Sequence, residues 1–168
     1  MARFVSSSLL MTLVVFMLLA GGCRTTRPDD ALEPNNDFQT ATRLTSGQPV
    51  DGRANEGNPD VFAIDATAGQ NISYRLEDRG LEDCAAFTVT GPGNVILYRD
   101  GHFFCGRGPA PETIADGVTF NEVPDFGYEL RVPAATAGTY FLTIEELGQA
   151  DNLFKYSWDY RLTAVVEN

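Results

Sequence analysis

Four side chains in this 168-residue sequence have chemistry that depends on what stands beside them: Cys23, Cys84, Cys105 and His102, the single histidine. Cys23 follows Leu19-Ala20-Gly21-Gly22, small residues that allow a peptidase close approach and leave the thiol to accept lipid. With Cys23 spent on lipid, Cys84 and Cys105 remain as a pair, which in an oxidising compartment reads as a disulfide. It would close a loop of about twenty residues, worth on the order of 3 kcal/mol by loop-closure entropy. The alternative is a thiol or metal site with His102, three residues before Cys105, but no second histidine is available to complete it. The same shortage leaves no Ser-His-Asp set. A hydrolase would have to draw on His102 with Glu112 or Asp116 inside the stretch 100–118. Glu145-Glu146 and Asp151 offer paired carboxylates, for which exposed strand ends are the default. The expectation is a protein without catalytic residues.

What delivers these residues is written at the N-terminus. Arg3, the apolar run 9–19 and the small residues 20–22 form a secretory signal pattern. The run is too short to span about 30 Å of hydrocarbon comfortably. Ending on Cys23, it resembles the lipobox of bacterial lipoproteins, so residues 1–22 are expected to be a lipoprotein signal peptide and Cys23 the lipidated residue. More than one acyl chain, at about 0.8 kcal/mol per buried methylene, holds a protein to a membrane firmly. Arg24 in place of aspartate resembles outer-membrane sorting in a Gram-negative host. The expected location is the bacterial cell envelope, with the membrane as one partner. Residues 23–32 are polar, contain Pro28 and read as a tether.

The formal charge is −11, and loss of Arg3 with the leader takes it to −12. Such a surface repels phosphate backbones, so nucleic acid is excluded as a partner, while cations and basic or neutral macromolecules suit its sign. The stretch Glu33-Pro34-Asn35-Asn36-Asp37-Phe38 opens oxygen-rich and rigid, and runs by Leu44 into β-compatible residues: a liganded turn that becomes a strand.

The elements behind it are strands. Val61–Ile64 and Ile72–Leu76 flank a glycine turn and read as a hairpin; Phe87–Thr90 and Val95–Tyr98 flank Gly91-Pro92-Gly93-Asn94. Tyr128–Val132, Thr139–Ile144 and Tyr156–Val166 follow, while 45–52 reads as turns and 100–118 as a long Gly/Pro-rich excursion. Tyr156, Trp158 and Tyr160 share one face at period two, which means core, or a ligand platform if that face is exposed. Short alternating strands without an amphipathic helix make an all-β antiparallel β-sandwich over residues 33–168.

Four motifs in order carry a resemblance: Glu33-Pro34-Asn35-Asn36 with Ala41, Asn58-Pro59-Asp60-Val61-Phe62, Ala68-Gly69-Gln70, and Gly138-Thr139-Tyr140 after Ala137. Together they resemble the bacterial pre-peptidase C-terminal domain, from Glu33 to Val166. The resemblance implies a jelly-roll-like sandwich that serves as an accessory binding module. It also implies calcium as cofactor, because collagen-binding relatives hold calcium where the N-terminal linker meets the sandwich. Carried over, the expected metal ligands are Glu33, Asn35, Asn36, Asn58 and Asp60, with Asp37 as a neighbour. Calcium takes six to eight oxygens of this kind. Ala31 and Asn58 stand where those relatives carry acids, which predicts weaker binding; the alternative is that these residues simply cap turns. The function this reading predicts is a lipid-anchored envelope module that binds a protein or polysaccharide. Its alternative is a structural envelope protein without a dedicated ligand.

Overall fold

The computed structural model describes residues 30–55, 57–79, 85–100, 112–113, 115–123, 127–146 and 157–168. Cys23, Cys84, Cys105, His102, Asp151 and Tyr156 lie outside them, and with them the leader, the disulfide and the thiol alternatives.

Period-two alternation favours strands, and the described residues hold eleven: β1 (Thr42–Arg43), β2 (Pro49–Asn55), β3 (Asp60–Ala66), β4 (Asn71–Asp78), β5 (Ala85–Gly91), β6 (Val95–Asp100), β7 (Glu112–Thr113), β8 (Thr119–Val123), β9 (Gly127–Pro133), β10 (Gly138–Glu146) and β11 (Ser157–Glu167). They form a six-stranded sheet in the order β1-β3-β10-β5-β6-β7 and a five-stranded sheet in the order β2-β11-β4-β9-β8. All pairs are antiparallel except β1 with β3. The sandwich expected from the pattern is therefore present.

Its inner faces carry Phe62, Ile64, Phe87, Val89, Tyr140, Leu142 and Ile144 from the first sheet. From the second come Ile72, Tyr74, Leu76, Leu130, Val132, Trp158, Tyr160 and Leu162. The strict alternation of β11 places Trp158 and Tyr160 fully inside, so these two aromatics are core and not a platform. The outer face of the five-stranded sheet carries charge pairs instead, Arg53 with Asp159, Arg161 with Asp51 and Arg131 with Glu167.

Two expectations need correction, and one strand lies where no element is expected. Val61–Ile64 and Ile72–Leu76 do not form a hairpin, because β3 pairs with β1 and β10 while β4 pairs with β11 and β9. The turn between them is an arch from one sheet to the other. It is pinned by Gly69 N–H donating to the Ala134 carbonyl at 2.8 Å, and by Ala134 N–H donating to the Gln70 carbonyl at 2.8 Å. The stretch read as turns at 45–52 contains most of β2, where Pro49 and Gly52 mislead. An edge strand tolerates proline, and a strand glycine marks a close approach. That approach is real: a Cβ on Gly52 would lie 2.4 Å from the Tyr160 hydroxyl oxygen. Finally, β8 emerges from residues that carry too little alternation to announce a strand.

Tyr74 Oη is, among the described residues, the one buried side-chain polar atom without a hydrogen-bond partner. Burial pushes its pKa above the usual tyrosine value. A buried hydroxyl left unsatisfied costs about 1–3 kcal/mol. Tyr74→Phe is therefore expected to leave stability unchanged or raise it by about 1 kcal/mol in denaturant unfolding. A loss above about 1 kcal/mol would contradict this accounting.

Candidate functional site

The site is built where the N-terminal segment meets β2, β3 and β11. Asn35 presents its carbonyl to Val61 N–H at 2.7 Å, which docks the segment onto β3. Asn35 and Asp60 are both fully buried. Glu33 folds back under the loop: Oε2 accepts from Asn35 N–H at 3.1 Å, and Oε1 accepts from Asn58 Nδ2 at 2.6 Å. Asn58 is held in the turn before β3 by its N–H donating to the Asn55 carbonyl at 2.9 Å. The five residues that the motifs singled out, Glu33, Asn35, Asn36, Asn58 and Asp60, thus meet in one place.

Their oxygens converge. One atom of the Asn36 amide stands 3.0 and 3.2 Å from the two Glu33 carboxylate oxygens, 3.1 Å from the Pro59 carbonyl and 2.9 Å from Asn58 Oδ1. One atom of the Asn35 amide stands 3.3 Å from Asp60 Oδ1 and 3.3 Å from Glu33 Oε2. Each amide has two orientations, and they mean different chemistry. With nitrogen inward, Asn35 and Asn36 donate to the carboxylates and the cluster is a closed hydrogen-bond network. With oxygen inward, two carboxylates, three amides and a carbonyl present oxygen to one another, an arrangement that needs a cation between them. The donor set is hard, oxygen-only and of charge −2, which fits calcium. Among the described residues no three His, Cys, Asp or Glu side chains gather as a metal group, so amides and a carbonyl would have to complete any such shell.

Asp37 does not share this role. Its Oδ1 accepts from Gln39 N–H at 2.9 Å, Thr40 N–H at 2.8 Å and Thr40 Oγ1 at 2.8 Å. Those bonds, the Thr40 hydroxyl first, hold its pKa below the usual carboxylate value. It caps its own turn, as a short acidic side chain does.

Two participants were not legible in the motifs. Asp30, read as part of the tether, is bound to the domain: Oδ2 accepts from Arg53 N–H at 2.5 Å and Oδ1 from Leu32 N–H at 2.7 Å. Tyr160, read as core, donates its hydroxyl to Asp60 Oδ2 from the opposite sheet. Behind them Arg53 grips Asp159 with Nε at 2.5 Å and Nη2 at 3.2 Å, a two-pronged pair.

The electrostatics follow from burial. Asp60 is pushed up to about 7, chiefly because desolvation penalises its charge, with Asp30 and Glu33 adding repulsion. The hydrogen bonds from Tyr160 and Asn35 pull the other way and do not offset this. Burial also raises the Tyr160 phenol well above its usual value, and Asp60 adds to that. A carboxylate that is costly to ionise is stabilised by a positive charge placed beside it.

The geometry defines a β-sandwich with an oxygen-lined cluster at its N-terminal junction. No protein-family model matches the chain, and no curated protein matches it. Among solved structures it is similar to the pre-peptidase C-terminal domain of a collagenase from Bacillus anthracis, the family that the four motifs resemble. That likeness has 13 % identity and a TM-score of 0.46, and covers 83 % of this chain and 98 % of that one. It is also similar to PliG of Aeromonas hydrophila, a periplasmic inhibitor of g-type lysozyme, at 15 % identity and a TM-score of 0.46, over 76 % of this chain and 96 % of that one. PliG of Salmonella Typhimurium gives 12 % identity and a TM-score of 0.41, over 74 % and 96 %. At these values the likeness is one of overall architecture.

Proposed function

We propose that this protein is a non-catalytic, lipid-anchored module of the bacterial cell envelope that binds another macromolecule, protein or polysaccharide, with calcium ordering the junction between tether and sandwich. The observation that carries the reading is the convergence of the Glu33, Asn58 and Pro59 oxygens on one atom of the Asn36 amide, with Asn35 and Asp60 behind them. It lies at the end of the domain that the anchor would reach first, since Cys23 precedes the cluster by about ten residues. A cation there would bind the segment 33–36 to the segment 58–60, and so fix the direction in which the tether leaves. The charge of −11 favours a basic or neutral partner.

Lipid attachment at Cys23 is checked by incorporation of a labelled fatty acid that Cys23→Ala abolishes. The partner is sought by pull-down from envelope extract with and without a chelator. A partner retained in calcium and lost with chelator supports the whole reading. Retention in both conditions removes the calcium part, and the absence of any partner that survives washing favours the structural alternative.

A further inference from the structure

We infer that Tyr160 is the positioning residue of the oxygen cluster, acting through Asp60. The inference rests on the cation reading proposed above and extends it to a residue outside the loop. Asp60 opens β3 in one sheet and Tyr160 lies in β11 of the other, so the bond from the phenol hydroxyl to Asp60 Oδ2 crosses the sandwich. A carboxylate has a soft terminal torsion. With Oδ2 taken by the phenol, Oδ1 is turned toward Asn35, whose amide stands 3.3 Å away.

The ring has been given the room to do this. Tyr160 pairs with Gly52 across β11 and β2, and only a residue without Cβ lets the phenol lie there. Phe62 meets the ring edge-on at 6.2 Å and Trp158 packs at 4.9 Å, so its direction is fixed from two sides. Partners that orient a metal's ligands commonly matter 10- to 100-fold in affinity.

The test is a calorimetric calcium titration of the intact protein in detergent, comparing Tyr160→Phe with Tyr140→Phe. Tyr140 is the matched control. It is equally buried, its hydroxyl donates to the Thr136 carbonyl at 2.6 Å, and it pairs with Ile64 rather than with Asp60. Tyr160→Phe is expected to raise the calcium Kd about tenfold or more, and Tyr140→Phe to leave it within about twofold. Melting in chelator is expected to show comparable losses for the two variants, so affinity and stability separate. Equal affinity of wild type and Tyr160→Phe would overturn the inference alone, as would equal weakening by both variants. A wild type that takes up no calcium would overturn the cation reading and this inference together. Should Tyr160→Phe not fold, the wild type still decides. Trp158, the single tryptophan, should change its emission in step with the calorimetric titration, and a flat signal counts against Tyr160.

Discussion

Calcium in excess is expected to raise the melting temperature of this protein. At a free concentration 100 times the Kd, binding to the folded state alone adds about 2.7 kcal/mol. For a domain of this size that is roughly 5–10 °C. Glu33→Gln is expected to abolish most of the shift, because Glu33 contributes both of its oxygens to the cluster. Asp37→Asn is expected to leave it, because that carboxylate is committed to its own turn. An unchanged melting temperature at millimolar calcium, followed by calorimetry without heat, would leave the cluster as a hydrogen-bond network with its amide nitrogens inward.

The second large effect is an inverted pH dependence without calcium. Asp60 is raised from 3.8 to about 7 in the folded protein. Between those values the folded state therefore holds a proton that the unfolded chain has released, and stability falls as pH rises. The contribution is complete below pH 4, declines through the window up to 7, and is gone above it. From pH 5 to pH 8 the loss is on the order of 3 kcal/mol for this fully buried group. The acids whose pKa is lowered act in the opposite pH window: Asp37 beside Thr40, Asp51 beside Arg161, and Asp65 beside Thr139 and Arg43 lose their contributions only as pH falls below the usual carboxylate range. Denaturant melts in chelator should show greater stability at pH 5 than at pH 8, and Asp60→Asn should flatten the slope. Calcium should flatten it too, since a cation favours the ionised carboxylate. A wild type in chelator that is more stable at pH 8 would contradict the assignment.

The strands were legible wherever one face is buried and the other is not. β11 alternates without a break from Ser157 to Ala164 and reads as a strand from its residues alone. β2 did not, because the features that make it work, a proline at an edge and a glycine under a phenol, are the usual signs of a turn. The false hairpin between β3 and β4 arose because alternation identifies strands and says nothing about which strand lies alongside. That choice is made by the inner faces across the sandwich. Motif spacing singled out Glu33, Asn35, Asn36, Asn58 and Asp60, and the fold brings these five residues close to one another. Asp30 and Tyr160 were hidden for different reasons. Asp30 sits among tether-like residues and acts on a backbone N–H, and a buried aromatic gives no sequence signal of where its hydroxyl points. Gly52 held the available hint, a glycine inside what proves to be a strand.

The placement of β11 between β2 and β4 also sets the order in which the molecule can assemble. Residues 49–55 have no partner in their sheet until residues 157–167, about a hundred positions later, arrive, and these also join them to residues 71–78, which already have residues 127–133 on their other side. Partners so distant in sequence make folding slow, because loop closure precedes any reward from pairing. The bond from Tyr160 to Asp60 can therefore form only once the last strand is in place.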